Sequence, residues 1–235
     1  LDALPVPIYD EYFERLSKSP LVNQVLPQIT FESSRGCWWG MKSHCTFCGI
    51  NGLDMKFRSK TPERVLTEIT TLATRHGALD FSAADVIMDM RYFTTLLPQL
   101  AAREHDLSFF YETKANLTES QVALLRSAGV TTITPGIESL STPTLRLMKK
   151  GVTAFQNIRL LKWCAQYGVR VTWNILYGFP GELSEEYARM AALIPSLTHL
   201  GPPSVGALQM YRFSPYHERP QQHGLHLGGP LPHYG

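Results

Sequence analysis

Apolar and polar positions along the chain fall into two alternating patterns. Short β-rich runs recur at "PQITFES" near residue 30, "ADVIMDM" (84–90), "LSFFYETK" (107–114), "VTTITPGIES" (130–139), "VRVTWNILYG" (169–178) and "VGALQMYRF" (205–213). Amphipathic stretches of helical period lie between them. Thr61-Pro62-Glu63 sets a cap residue, a first-turn proline and an acid at the positive end of a helix dipole. Thr118 to Gln121 forms a capping box before "VALLRSAG", whose Gly129 stops the helix. Ser184-Glu-Glu opens a helix running to about Ser196. Six strands interleaved with helices predict a parallel sheet with helical crossovers. Six units are too few for a closed eight-unit barrel, so the expected α/β fold is a partial (β/α)6 TIM-like barrel with mostly parallel strands. Chemistry in such sheets gathers at the C-terminal ends of the strands.

Composition narrows the classes. The 235 residues are 44% hydrophobic and 18% charged, which is globular and not disordered. A formal charge of +2 gives no footprint for nucleic acid or an anionic membrane. No apolar run approaches the roughly 20 residues that span a bilayer, and "LDALPVPIYDEYF" carries no signal-peptide pattern. Crowded thiols in such a chain read as metal ligands in a reducing compartment, so the expected location is cytoplasmic. The chain opens on Leu1 and closes on "GGPLPHYG", which suggests a fragment of a longer protein.

Three of the four cysteines, Cys37, Cys45 and Cys48, fall in "ESSRGCWWGMKSHCTFCGING" (32–52) with spacing C-x7-C-x2-C, just past the first strand. A structural zinc site would need a fourth ligand; His44 is a candidate, although neighbours such as His44 and Cys45 rarely converge on one tetrahedral ion. An iron–sulfur cluster normally takes four cysteines, and three would leave one iron open. Cys164, in the helical "LLKWCAQYG", reads as a packed small apolar residue. Spacing alone leaves the zinc and cluster readings both open.

The cysteine loop with Phe47 before its last cysteine resembles the radical S-adenosylmethionine (SAM) superfamily, although the usual superfamily spacing is C-x3-C-x2-C. The longer spacing is similar to that of the C-methyltransferases that mature ribosomally made peptides, relatives of cobalamin-dependent enzymes. The likeness continues in "FRSKTPERVL", "FYETKANLT", "PGIESLS", "KKGVTAFQNIRLLKW", "WNILYGFPGE" and "RFSPY". Thr134 stands where those relatives tend to carry glutamine. The resemblance implies that Cys37, Cys45 and Cys48 hold a [4Fe–4S] cluster whose open iron takes SAM, cleaved to methionine and a 5′-deoxyadenosyl radical. It implies methyl transfer from methylcobalamin to an unactivated carbon of a precursor peptide, and a reducing partner such as flavodoxin or ferredoxin. No D-x-H-x-x-G signature for a cobalamin ligand is present. Residues 1–26 are then the linker from an N-terminal cobalamin-binding domain, 27–216 the barrel, and 217–235 the start of a truncated C-terminal region. A radical SAM enzyme that crosslinks or epimerises a peptide would share every motif; a zinc-binding interaction module is the alternative outside the family.

Individual positions follow from the same implication. Phe47 stacks near adenine or packs in the core. Asp89 takes the SAM amino group or supports the site from behind. Alternation places Glu112 and Lys114 on one face, either paired with each other or bound to something polar. Glu138 and Ser139 contact the SAM ribose or amino acid. Asn174 and Glu182, expected as cofactor contacts, frame "WNILYGFPGE", whose glycines permit a tight turn where backbone approaches a ligand. Arg212 and Ser214 share a parity on the last strand, Tyr216 caps the rim, and Trp38 and Trp39 shield the cluster or face cobalamin or peptide.

Overall fold

Side-chain alternation along each strand decides where the helices pack. The computed structural model describes residues 1–229, so the last residues of the expected region 217–235, from Pro230 on, lie outside the described residues. The elements are α1 (Asp10–Ser17), β1 (Gln28–Phe31), β2 (Ser34–Arg35), α2 (Trp38–Lys42), β3 (Arg58–Ser59), α3 (Pro62–His76) and β4 (Asp80–Ala83). They continue with α4 (Leu97–Ala101), β5 (Ser108–Glu112), α5 (Glu119–Ser127), β6 (Val130–Thr134), α6 (Thr142–Leu147) and α7 (Ala154–Tyr167). The last are β7 (Arg170–Val171), β8 (Asn174–Tyr177), α8 (Ser184–Leu197), β9 (Ser204–Ala207) and α9 (Pro215–Glu218).

The main sheet runs β1-β4-β5-β6-β7, parallel throughout. Only Thr172 and Trp173 separate β7 from β8, which pairs in parallel with β9. The chain thus hands over from β6 to β9 within one stave, giving the partial barrel expected. Ile29, Phe31, Phe81, Phe109, Tyr111 and Ile133 share the face that packs on α3, α4, α5 and α7, each at most 2% exposed. Each contributes roughly 1.5–3 kcal/mol by leaving water. The opposite face carries Thr30, Ser82, Phe110, Glu112, Thr132 and Thr134, none of them buried. One apolar and one polar face make the sheet a wall open to solvent on its inner side.

Several strand boundaries differ from those expected. The second strand is Asp80–Ala83, and 84–89 is a loop across the strand ends. The buried Asp85 is the reason. Its Oδ1 accepts the Ser33 N–H at 2.7 Å, a donor that would otherwise extend the ladder, and its Oδ2 accepts from the hydroxyls of Ser33 and Ser34. The Met88 N–H turns instead to the Glu112 carbonyl at 2.8 Å. The fourth strand stops at Thr134 because Gly136 and Glu138 take positive φ, 59° at each. The last strand stops at Ala207, so Arg212 and Ser214 are not on it; Ser214 caps α9, and Tyr216 is buried in the satellite cluster with Leu145, Met148 and Phe179.

The helix starts agree with the sequence. Thr61 caps α3, and Thr118 with Gln121 forms the reciprocal box of α5. The segment expected as a linker carries α1, whose Asp10 pairs with Arg75 and whose Phe13 stacks on His76 at 4.6 Å.

Candidate functional site at the cysteine loop

The antiparallel β2–β3 ladder, Ser34 opposite Ser59 and Arg35 opposite Arg58, pinches the base of a loop over residues 36–57. Gly36 sits at that neck with φ 85°, and a Cβ there would stand 2.2 Å from the Lys56 carbonyl oxygen. The tip is fastened elsewhere. Thr46 donates its N–H to the Met148 carbonyl at 3.1 Å and its hydroxyl to the Leu147 carbonyl at 3.2 Å. The Trp39 indole donates to the Lys149 carbonyl at 3.1 Å, and the Trp38 indole to the Met88 carbonyl at 3.0 Å. Segments 86–89 and 147–151 therefore support the loop from two sides at the C-terminal end of the sheet.

Cys37, Cys45 and Cys48 are all free and half-buried. Burial pushes the Cys45 thiol up; the Lys150 and Lys114 ammonium groups pull against it, while Cys37 and Glu138 push the same way as burial. Cys48 is raised by burial against a hydrogen bond from Ile50, with Cys45 and Cys37 adding to the rise. The three thiols thus share one electrostatic neighbourhood. Cys164 does not belong to it: it is fully buried in α7, and burial alone pushes it up to about 12.

These residues fit a cluster with one open iron. The Cys37 sulfur already accepts the Gly40 N–H at 3.2 Å, the kind of bond that tunes a cluster thiolate. His44 places Nε2 2.8 Å from the Cys48 carbonyl, so that nitrogen carries a proton and is not free to ligate. Among the described residues no three His, Cys, Asp or Glu side chains converge as ligands of a single ion.

Three charged side chains, Lys114, Glu138 and Lys150, act on the thiols, and Glu112 lies beside them. Lys150 reaches Glu138 at 3.4 Å. Lys114 does not pair with Glu112; it donates to the Lys150 carbonyl and lies 4.0 Å over the Trp39 ring. Burial pushes Lys114 down to about 8, helped by Lys150 and opposed by Cys45 and Cys37. Glu112 is pushed up to about 7, first by burial, then by Glu138, against the pull of Lys150. Lys150, to which the sequence pattern gave no role, is the residue that links this set. Its signal was the "KKG" preceding the α7 cap.

Phe47 meets Phe179 edge-on at 5.5 Å and lines a cavity of about 260 Å3 with Asn174, Leu176 and the strand Ser204–Ala207. The structure thus brings Phe47 and Asn174 together, and Lys114 and Glu138 near Cys45, with Glu112 beside Glu138 and Lys150. Three residues are engaged otherwise. Asp89 accepts from Ser59 at 2.6 Å and pairs with Arg91 at 2.7 Å; burial pushes its carboxyl up, but these partners outweigh it and hold it below the usual range. Ser139 is fully buried and turned to Met190 at 3.5 Å. Glu182 closes its own turn, accepting from the N–H groups of Gly178 at 2.7 Å and Phe179 at 2.8 Å. A larger groove, about 680 Å3, runs along Thr67, Thr70, Thr71 and Thr74 of α3 and includes none of these residues.

The family model described as "Radical SAM superfamily" matches residues 31–194. An uncharacterized methyltransferase of Pyrococcus horikoshii is 26% identical over 190 residues, covering 79% of this chain and 40% of that protein. The radical SAM methyltransferase TsrM from Kitasatospora setae, with cobalamin and a [4Fe–4S] cluster bound, superposes with a TM-score of 0.70 at 19% identity over 83% of this chain and 37% of that one. The cobalamin-dependent radical enzyme OxsB gives 0.68 at 18% identity over 92% of this chain and 32% of its own. These structural likenesses establish the fold. The chain spans about two fifths of the length of the curated relative.

Proposed function

Because the chain belongs to the radical SAM superfamily, we propose that it is the barrel of an enzyme that binds a [4Fe–4S] cluster through Cys37, Cys45 and Cys48 and cleaves SAM reductively beside it. Its substrate is a ribosomally made precursor peptide, and its product a methyl group on an unactivated carbon. The observation that carries the reading is the set of three free thiols on one pinned loop at the C-terminal end of a parallel sheet, with no fourth cysteine nearby. The assignment to this family displaces the zinc-module alternative.

When bound, the cluster, SAM and methylcobalamin supply the electron, the hydrogen-abstracting group and the methyl. This chain's residues hold and orient. Phe47, Asn174 and Leu176 offer a slot whose half-apolar walls suit the adenine ring. Glu112 and Glu138 present carboxylates to an amino group, and Lys150 a cation to a carboxylate. The polar inner face with Thr30, Ser82, Thr132 and Thr134 gives a peptide backbone hydrogen-bonding partners. Methylation, rather than crosslinking or epimerisation, is favoured by the likeness to the curated methyltransferase and by the fold shared with the methyltransferase TsrM. Cobalamin enters through a part of the protein outside this chain, and the electron comes from a flavodoxin or ferredoxin.

The test is anaerobic reconstitution followed by incubation with SAM, a strong reductant and candidate peptides. About four irons and 5′-deoxyadenosine are expected from this chain, and a peptide heavier by one methylene from the longer protein supplied with cobalamin. No 5′-deoxyadenosine from either protein would overturn the reading.

A further inference from the structure

Three lysines lie buried or nearly so around the strand ends, and two have carboxylates. Lys60 pairs with Glu68 at 2.7 Å and Lys150 with Glu138 at 3.4 Å. Lys114, 7% exposed, has no carboxylate within ion-pair distance among the described residues. Its ammonium is held by the Lys150 carbonyl and the face of Trp39. A carbonyl dipole and an indole quadrupole steady a cation but do not neutralise it. Burying an ammonium without an anion is costly, and the chain has kept one here.

The anion is supplied from the other side. The Lys114 ammonium donates to the Lys150 carbonyl, one residue on from the Lys149 carbonyl against which the Cys45 sulfur rests at 3.9 Å, and the Trp39 ring beneath it is two residues from Cys37. The ring that holds Lys114 belongs to α2, the helix that Cys37 caps. The lysine is thus held against the loop that carries the ligands.

We propose that Lys114 is the buried counter-cation of the cysteine-held cluster and that its fixed charge raises the cluster's reduction potential. The proposal rests on the cluster reading above. Reduction adds one electron and so one negative charge to the group held by the three thiolates. A cation held in a low-dielectric site favours that added charge more strongly than one in water would. Lys150 is the poorer candidate, because Glu138 already offsets its charge.

The experiment is a redox titration of the reconstituted chain, followed by electron paramagnetic resonance, for wild type, Lys114→Met, Lys114→Gln and Lys114→Arg. The neutral variants should bind full iron with a midpoint shifted negative by about tenfold in the reduction equilibrium, ~59 mV for one electron. Lys114→Arg should stay near wild type. If the neutral variants lose iron while Lys114→Arg keeps it at the wild-type midpoint, the counter-charge is needed for assembly as well. Unchanged midpoints in iron-replete neutral variants would overturn the proposal, as would loss of iron in all three variants, which marks a packing role. A wild-type chain that takes up no iron would instead overturn the cluster reading itself.

Discussion

The Trp39 indole donates to the Lys149 carbonyl at 3.1 Å, and the Cys45 sulfur rests against that same carbonyl at 3.9 Å. One backbone oxygen from the segment after α6 therefore positions both an aromatic ring and a thiol of the loop after β1. Lys149 holds φ at 57° and Gly151 at 64°, which turns the segment under the ring.

Gly151 is where this contact is tightest. A Cβ there would stand 2.1 Å from the Trp39 ring, in a backbone conformation that already disfavours side chains. Gly151→Ala is expected to cost about 1–3 kcal/mol and to lower iron uptake, read by thermal melting and an iron assay. Full iron and an unchanged melt would show that ring and segment are not coupled.

Cysteine substitutions should divide cleanly. Alanine at Cys37, Cys45 or Cys48 should abolish the cluster's broad visible absorbance. Cys164→Ala, in the core under the sheet, should keep the absorbance and lose about 1 kcal/mol to the small cavity. Loss of absorbance in the Cys164 variant alone would reverse the assignment.

Glu112 gives the metal-free chain a pH dependence of defined sign. Its folded value is about 7 against an ordinary 4.5, so between these values the unfolded chain releases the proton first. Its contribution is complete below about pH 4.5, falls as pH rises to about 7, and then levels off. Glu112→Gln should flatten the melting temperature across that window. An unchanged slope would place the carboxyl in water.

Lys60 and Glu68 form an ion pair with side chains 3% and 1% exposed. Glu68→Gln alone leaves the buried Lys60 without a carboxylate and should cost about 3–5 kcal/mol in denaturant unfolding, whereas Lys60→Met should cost less, because Arg64 still stands 3.5 Å from Glu68. The double variant should recover a large part of that loss, and additive losses would show that the partners are not coupled.

Phe47→Ala should weaken SAM binding roughly tenfold by removing an aromatic wall, with iron content unchanged. Glu182→Gln should act on stability, because Glu182 Oε2 accepts two N–H groups of its own turn. Equal SAM affinity in Phe47→Ala and wild type would move adenine to another surface.

Much of this was legible in the sequence because its causes are local. The caps at Thr61 and Thr118 act within one turn. The thiol cluster is contiguous and follows the first strand. The misplaced second strand had a distant cause: Asp85 takes its donors from Ser33 and Ser34, and no residue near 85 announces it. Lys150 was hidden for the same reason, since its relation to Cys45 exists only once α6 has brought it there. Glu182 looked like a ligand because a carboxylate beside glycines suits a binding turn equally well; here it satisfies the turn itself.

The loop suspended between the β2–β3 ladder and the carbonyls of 147–149 has a history as well as a shape. Its cysteines leave the ribosome about a hundred residues ahead of the groups that fasten its tip. Until α6 has docked, a nascent chain carries three thiols on a slack tether, open to oxidation and to whatever metal is at hand. The three thiols are brought into one fixed arrangement only when the segment after α6 is in place, so a cluster held by them is expected to be loaded after this part of the chain has folded.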